Sequence, residues 1–220
     1  IGARYKRQAQ EDISMISIIE KMTSKLLLPS PAQYLYNKAM KHLYFVRHGQ
    51  SQANFESMIA THDSPLTPIG LSQATETAQR IKELNIDNIY CSNMLRARQT
   101  AEAIAESLGF DESSIVVVDE LKERSLGELE GKSKTHESRW YFDTPDGYGM
   151  ETHTELYERV KVALSKIESM SINSENVLIV GHSISGDMMR FVTDKKSDFS
   201  FLADYELTPN AGFFELKISS

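Results

Sequence analysis

Three consecutive residues, Arg47-His48-Gly49, carry the side chains of this sequence that are best suited to catalysis. A histidine with one unprotonated ring nitrogen attacks electrophiles, and an adjacent arginine holds an anion through charge-assisted hydrogen bonds. Glycine lets the backbone approach a ligand closely. The apolar run 43–46, which precedes the triplet, predicts a buried strand. Because ligands of parallel α/β sheets bind beyond the carboxyl ends of the strands, the triplet predicts a site that holds and attacks phosphate.

The triplet alone would also fit a structural histidine, but the longer string from Arg47 to Asn54 is more specific. It resembles the Arg-His-Gly-x-Ser/Thr-x-x-Asn signature of the histidine phosphatase (phosphoglycerate mutase-like) superfamily. Four further segments are similar to motifs of that family and follow in its order: 63–70, 91–100, 121–131 and 180–182. Several ordered motifs are far more specific than any one of them. The resemblance extends from residue 40 to about residue 218.

The resemblance implies a phosphohydrolase that needs neither metal nor cofactor. It identifies His48 as the nucleophile, which forms a phosphohistidine that water then hydrolyses. It assigns Arg47, Arg96 and His182 to the phosphate pocket. Two guanidinium forks suit this task better than lysine would, because they can bind the equatorial oxygens on which charge lies in the transition state.

Four smaller residues are expected to shape the same pocket. Asn54 is a neutral donor, and Gly49, Ser51 and Ser183 complete the substrate-binding set. The Gly49 carbonyl, or another backbone acceptor, can fix the tautomer of His48 by accepting its second ring N–H. Ser183 departs from the glycine that many relatives place directly after the second histidine, so the floor of the pocket is expected to differ there.

A carboxylic acid is needed to protonate the leaving oxygen and afterwards to accept a proton from water. Glu123, Glu128 and Glu130 are the candidates. The resemblance places the acid directly after a Leu-x pair, here Leu121-Lys122, which favours Glu123.

These residues require a scaffold that brings distant segments together. Apolar patterns predict strands at 43–46, 88–92, 115–118, 177–180 and 211–218. Helices are predicted at 67–84, 94–108 and 155–170, with a further one through 188–191. This alternation predicts an α/β fold, a three-layer α/β/α sandwich with a mainly parallel mixed sheet, and the resemblance implies the phosphoglycerate mutase-like version.

The first 39 residues differ from the rest of the chain. They carry six Lys and Arg against three Asp and Glu in a chain whose net charge is −7. Residues 13–28 predict a short amphipathic helix, which Pro29 and Pro31 end. We expect a helical appendage at 1–39 and a histidine phosphatase domain at 40–220. The helix either packs on the domain or binds a membrane surface or a partner, unless Met40 is the natural start.

The composition excludes several classes of function. A net charge of −7 does not suit nucleic-acid binding, which rests on clustered Lys and Arg. Cys91, the single cysteine, predicts a buried thiol in a reducing compartment and permits no disulfide within the chain. No apolar stretch approaches the roughly 20 residues of a membrane span, and no secretory signal is recognisable. We expect a cytoplasmic protein that binds a small phosphorylated substrate; the oligomeric state is not predicted.

The remaining histidines do not predict a metal site. His42, His62, His136 and His153 lack a regular metal-ligand spacing, so solvated or structural roles fit them better. His62 is the one to watch, because it lies in the loop after Asn54, which is expected near the pocket.

Three functions fit these observations: a phosphatase, a cofactor-dependent phosphoglycerate mutase and a non-catalytic protein that binds phosphate ligands. The interval between the proposed acid and His182 is short and acidic, and its chief cations before the long helix are Lys132, Lys134 and Arg139. A bisphosphate would meet too little positive charge there, which favours the phosphatase. The presence of all five catalytic candidates argues against a binding protein.

The substrate is not predicted beyond its phosphate. Four aromatic residues lie in the segment expected to cap the pocket: Trp140, Tyr141, Phe142 and Tyr148. They either stack on the substrate or pack the cap onto the core, and the sequence leaves both open.

Overall fold

A computed structural model describes residues 42–134, 148–196 and 208–217. Within them five strands form one sheet in the order β3-β2-β4-β1-β5. Their bounds are β1 His42–Arg47, β2 Asn88–Cys91, β3 Val116–Val117, β4 Asn176–Gly181 and β5 Phe213–Leu216. β5 runs antiparallel to β1, and the other pairs are parallel. The predicted mainly parallel mixed sheet is therefore confirmed.

The described α-helices are α1 Gln52–Phe55, α2 Pro68–Ile81, α3 Leu95–Leu108, α4 His153–Met170 and α5 Ser183–Thr193. Side chains and glycine set several of their ends. Thr67 caps α2 by accepting a hydrogen bond from the Gly70 amide, and Thr152 forms a capping box with Glu155. Gly109 ends α3 in the left-handed conformation at φ 82°. Short 3₁₀ helices occupy Lys82–Leu84, Glu112–Ser114, Asp119–Leu121 and Gly127–Leu129.

The sheet is covered on both faces, which gives the three layers. Successive side chains of a strand point to opposite faces. Leu43 and Phe45 of β1 accordingly enter one apolar cluster with residues of α4 and α5, whereas Tyr44 and Val46 enter a second cluster with residues of α2 and α3. The continuous apolar run of β1 is thus buried on both sides, as a central strand of a parallel sheet requires.

Three predicted elements are shorter in the structure by two residues or more. β3 covers only two residues, because 3₁₀ helices lie on both sides of it; Val118 still donates to the carbonyl of Cys91 at 2.9 Å. α2 ends at Ile81 and continues as a 3₁₀ turn, and β5 stops at Leu216. The predicted helix at 13–28, His136 and 139–142 lie outside the described residues.

The register of the sheet places both candidate histidines at one edge. Arg47 at the end of β1 is the register partner of Gly181 at the end of β4. His48 and His182 follow these residues directly, and the His48 amide donates to the Gly181 carbonyl at 2.9 Å. No helix in the described part of the chain is long and apolar enough to cross a membrane.

Candidate active site

His48 lies directly after β1, and both nitrogens of its ring are engaged. The residue is 4% exposed. Nδ1 lies 2.7 Å from the Gly49 carbonyl oxygen, and Nε2 lies 3.2 Å from Nε of Arg96. A carbonyl can only accept and a guanidinium can only donate, so Nδ1 carries the proton and Nε2 keeps its lone pair. Nε2 is therefore the nitrogen that can attack.

The surroundings of His48 keep its ring neutral. Burial lowers the His48 pKa well below 6.5, and the charges of Arg96, Arg47 and Lys134 lower it further. The hydrogen bond to Gly49 acts in the opposite direction and does not outweigh them. A neutral imidazole is the form that a nucleophile needs.

Arg96 is held in the first turn of α3 and is 2% exposed. Its Nη1 donates to the Thr61 carbonyl at 2.8 Å, and its Nη2 contacts the sulfur of Met94 at 3.4 Å. Burial lowers the Arg96 pKa, and the charge of Glu123 is the largest effect that opposes this. These contacts fix the guanidinium beside the His48 ring.

Arg47 brings a second guanidinium to the same region. Its Nη1 donates to the Thr208 carbonyl at 2.5 Å, and its backbone amide donates to the Gly212 carbonyl at 3.0 Å. Burial lowers the Arg47 pKa, while Glu123 and Asp187 raise it. Its Nε is buried and has no hydrogen-bond partner among the described residues. This donor suits an anion in the space beside His48.

His182 is completely buried at the N-terminus of α5. Its ring centroid lies 5.2 Å from that of His48. Nε2 lies 2.8 Å from the Ser92 hydroxyl, whereas Nδ1 is buried without a hydrogen-bond partner in the described part of the chain. Burial lowers the His182 pKa well below 6.5, and Arg96, His48 and Arg47 lower it further. A second neutral imidazole thus stands beside the first.

Glu123 reaches the same place from the loop after Asp119–Leu121. Its Oε1 accepts from the Ser185 amide at 2.9 Å, and its Oε2 accepts from the Ile184 amide at 3.2 Å. The carboxylate therefore binds the N-terminus of α5, next to His182, where the helix dipole favours negative charge. It is also close enough to Arg47 and Arg96 for its charge to raise the pKa of both.

The two rival carboxylates are placed differently. Glu128 is exposed to solvent. Glu130 turns back onto its own loop, where its Oε1 accepts from the Ser125 hydroxyl at 3.0 Å and from the Leu126 amide at 3.1 Å. Of the three candidates, Glu123 alone has described hydrogen bonds to the helix that begins beside His182.

Ser51 and Asn54 are engaged with each other and with a residue that the sequence analysis missed. Ser51 is completely buried and caps α1 by accepting from the Asn54 amide at 3.2 Å. Oδ1 of Asn54 accepts from the Ser51 amide at 3.2 Å and from Nδ2 of Asn210 at 3.1 Å. Asn210 also donates to the carbonyls of His48 and Gly49 at 3.2 and 3.3 Å. Ser51 thus shapes the loop, and Nδ2 is the atom of Asn54 left to donate.

Glycine is required at position 49 because of a contact with backbone, and not because of the expected close approach to a ligand. A Cβ at this position would lie 2.2 Å from the carbonyl oxygen of Gly70, and a Cβ at Gly70 would lie 2.1 Å from the carbonyl oxygen of Gln50. The close approach that Gly49 permits is thus to the backbone of α2. Gly49 contributes to the site through its carbonyl oxygen, which accepts the Nδ1 proton of His48 and so fixes the tautomer.

Ser183 begins α5, and its hydroxyl is buried without a partner among the described residues. The same is true of the hydroxyl of Ser185 and of Oδ2 of Asp187. Buried polar atoms are normally hydrogen-bonded, so their accumulation here, with Nε of Arg47 and Nδ1 of His182, is the pattern of a ligand site. Burial raises the Asp187 pKa to about 6.

Lys134 adds a third positive charge, which the sequence analysis did not assign to the pocket. Its amide donates to the Ser57 carbonyl at 2.8 Å, in a segment that also pairs Ser133 with Met58. Shortly after Met58, the Thr61 carbonyl accepts a hydrogen bond from Nη1 of Arg96. Lys134 retains solvent access, but burial of its ammonium group, followed by Arg47 and Arg96, lowers its pKa. Lys134 thus borders the two arginines.

A partly buried ion pair supports the loop that carries Glu123. Nε and Nη2 of Arg159 donate to the two carboxylate oxygens of Glu151, each at 2.6 Å. Nη1 of Arg159 donates to the carbonyls of Glu120 and Lys122 at 2.6 and 2.9 Å. No sequence pattern indicates this role of Arg159, because its partners in the loop are backbone carbonyls.

The other histidines that the structure describes have partners of their own. His62 is half exposed and lies 2.8 Å from an oxygen of Asp63. His42 contacts Glu215 at the opposite end of β1, and His153 lies 3.0 Å from Arg124. No three His, Cys, Asp or Glu side chains within 42–134, 148–196 and 208–217 form a group that could hold a metal ion.

Two further predictions concern buried side chains. Cys91 is completely buried, which confirms the predicted buried thiol, and burial raises its pKa to about 12. Tyr148 packs against a cluster of Ile59, Leu126, Leu129 and Met150. This aromatic residue therefore contacts the core, as one of the two interpretations expected.

The sequence matches the histidine phosphatase superfamily (branch 1) over residues 43–218. A protein described as a probable phosphoglycerate mutase, GpmB of Escherichia coli O1:K1, is 36% identical over 160 residues, which cover 66% of this chain and 71% of the relative. The residues that match the family include both candidate histidines, His48 and His182. The similarity to the family therefore covers the site as well as the scaffold.

Solved structures support the same fold. A putative α-ribazole-5′-P phosphatase from Escherichia coli K-12 superposes with a TM-score of 0.69 at 19% identity, covering 82% of this chain and 92% of that one. A mycobacterial glucosyl-3-phosphoglycerate phosphatase, solved with VO3, superposes with a TM-score of 0.65 at 20% identity, covering 80% and 90%. At these identities the likeness establishes the fold.

Proposed function

The chain belongs to the histidine phosphatase superfamily (branch 1), whose fold it shares, and is a phosphatase or mutase enzyme; we propose that it hydrolyses a small phosphomonoester through a phosphohistidine on His48, without a metal or cofactor. The observation that carries the proposal is the neutral His48 ring, with Nδ1–H bonded to the Gly49 carbonyl and the Nε2 lone pair directed to Arg96. Arg47, Arg96 and His182 supply hydrogen-bond donors around this ring.

In the first step Nε2 of His48 forms a bond to phosphorus, and the bond between phosphorus and the ester oxygen breaks. Arg96 exchanges its hydrogen bond to Nε2 for one to a phosphoryl oxygen, and Arg47 and His182 supply further donors to the equatorial oxygens. Glu123, protonated once the substrate dianion is bound beside it, gives its proton to the leaving alkoxide, which departs as the alcohol.

In the second step a water oxygen attacks the same phosphorus. The Glu123 carboxylate accepts a proton from this water, and the bond between phosphorus and Nε2 breaks. Inorganic phosphate leaves, and both His48 and Glu123 return to their starting forms. Position supports Glu123 in this role, because its carboxylate lies at the start of α5, beside His182.

A mutase is the second candidate, because the GpmB relative is described as a probable phosphoglycerate mutase. A mutase must keep the phosphoryl group on the histidine until a second acceptor binds, and its substrates carry a further carboxylate or phosphate. Lys134 supplies one cation for such a group. The two arginines and one lysine that the described residues place there suit a single phosphate with at most one neighbouring anion, which favours the phosphatase.

The test compares wild type and His48→Ala in the hydrolysis of p-nitrophenyl phosphate in EDTA, together with a phosphoglycerate mutase assay. The matched control is His42→Ala, which removes an exposed imidazole at the other end of the same strand. We expect turnover in wild type and in the control, a loss of at least about a thousandfold in His48→Ala, and inhibition of wild type by vanadate.

Each contrary outcome has a distinct meaning. Hydrolysis that persists in His48→Ala would show that another residue is the nucleophile. Strict dependence on added Mg²⁺ would exclude the metal-independent mechanism. Phosphoglycerate mutase activity in wild type without net hydrolysis would establish the second candidate instead.

A further inference from the structure

We propose that Ser92 is a positioning residue, which holds His182 as the tautomer whose Nδ1–H points to the phosphoryl group. This inference rests on the proposed function for its catalytic consequence but not for the tautomer itself. Ser92 directly follows β2 and is completely buried. Its hydroxyl lies 2.8 Å from Nε2 of His182.

The bonds of the Ser92 hydroxyl decide the direction of this contact. Its oxygen accepts from the Met94 amide at 3.2 Å. A serine hydroxyl has one proton to donate, and Nε2 of His182 is the acceptor within hydrogen-bond distance among the described residues. If Nε2 carried the ring proton, the Ser92 O–H would remain without an acceptor in a fully buried place, which is costly. The hydroxyl therefore donates to Nε2.

The other ring nitrogen of His182 must then carry the proton. Nδ1 is buried and has no hydrogen-bond partner in the described part of the chain. The ring stands 5.2 Å from that of His48, centroid to centroid. A donor so placed adds an N–H to the transition-state oxygens, whereas the opposite tautomer would present a lone pair that repels them.

The backbone makes this arrangement rigid. The Ser92 amide donates to the Val180 carbonyl at 3.0 Å, two residues before His182. β2 and β4 are paired in parallel directly before these residues, with Cys91 opposite Val180. Hydroxyl and imidazole thus extend from neighbouring strands of one sheet, so their separation is set by the sheet and not by a loop.

The tautomer is measurable without any substrate. Long-range ¹H–¹⁵N spectra of the resting, ¹⁵N-histidine-labelled protein distinguish a protonated ring nitrogen from an unprotonated one, and a His182→Gln variant assigns the signals. We expect Nδ1–H for His182 in wild type. A wild-type ring protonated at Nε2 would overturn the proposal, whatever the enzyme hydrolyses.

Variants connect the tautomer to catalysis. In Ser92→Ala we expect loss of the pure Nδ1–H pattern, and a fall of about tenfold in kcat/KM and in vanadate affinity. Ser92→Thr, which keeps the hydroxyl, should restore all three. The control is Ser171→Ala, which deletes an equally buried hydroxyl bonded to Tyr90 before β4, and should leave the His182 signals unchanged. An unaltered tautomer in Ser92→Ala would contradict the proposal; failure of His48→Ala to lose activity would instead contradict the proposed function.

Discussion

The chemistry of His48 depends on which ring nitrogen bears the proton, and neighbouring backbone settles this. The Gly49 carbonyl accepts the Nδ1 proton, and Asn210 binds the same carbonyl at 3.3 Å, so the acceptor itself is held in place. Two arginines beside the ring then oppose its protonation. A histidine in such surroundings stays neutral at pH values where a solvated histidine is largely charged.

Burial raises the pKa of the neighbouring Asp187 carboxyl group, whereas it lowers the pKa of His48. Asp187 is 2% exposed, and burial raises its pKa from 3.8 to about 6, with the charge of Glu123 acting in the same direction. The folded protein therefore holds a proton that the unfolded chain has released between about pH 4 and pH 6. Over that range the unfolded state binds fewer protons, so this residue lowers the free energy of unfolding as the pH rises.

Removing the charge at this position should stabilise the protein at neutral pH. For Asp187→Asn we expect a gain in the free energy of unfolding that grows from pH 4 to pH 6 and levels off at up to about 3 kcal/mol above it. Urea unfolding at pH 5 and pH 8 measures it. Asp63→Asn, at a largely exposed carboxylate, controls for the change in net charge. An Asp187→Asn gain that is equal at both pH values, or absent at pH 8, would contradict the assignment.

At the scale of elements, α4 positions the acid-bearing loop although it carries none of the predicted site residues. Arg159 binds Glu151 through two N–H groups and binds two carbonyls of the loop that ends at Glu123. Both charged side chains are only 12–13% exposed. Such a fork couples the helix to the loop, because a guanidinium offers several donors in fixed directions.

This coupling predicts a specific effect of a charge-conserving change. Arg159→Lys keeps the charge but loses most of the hydrogen bonds, so we expect a loss of about 2 kcal/mol in stability and about a tenfold lower kcat. Thermal unfolding and steady-state kinetics measure the two effects. Lys161→Ala breaks an exposed ion pair with Glu158 on the same helix and should cost less than about 1 kcal/mol. If both variants behaved alike, Arg159 would have no positioning role.

The sequence predicts the elements whose apolar residues follow a distinctive pattern. β1 contains the continuous apolar run 43–46 and ends at the residue before His48. β4 likewise ends at the residue before His182, so the meeting of the two histidines follows from parallel pairing alone. Contacts made through the backbone carry no such signal. Asn210 and Arg159 bind mainly carbonyl oxygens, which every residue type possesses, so only the folded arrangement reveals them.

At the scale of the whole molecule, the charges of the surface and of the pocket oppose each other. The chain has a net charge of −7, yet Arg47 is close enough to Arg96 to lower its pKa, and both arginines lower the pKa of Lys134. A dianionic substrate is thus repelled at long range and attracted at contact. The repulsion acts through solvent, whereas the attraction acts in a buried site, so salt screens the two unequally.

The unequal screening gives a prediction for the rate. The Debye length falls from about 30 Å at 0.01 M salt to about 8 Å at 0.15 M, which removes repulsion from distant carboxylates but little of the contact attraction. We expect kcat/KM for p-nitrophenyl phosphate at pH 8 to rise about twofold over this range. Measuring it in both sodium chloride and sodium acetate controls for anions that compete for the pocket. A steady decline in both salts would mean that the pocket's positive field extends into solvent and dominates the encounter.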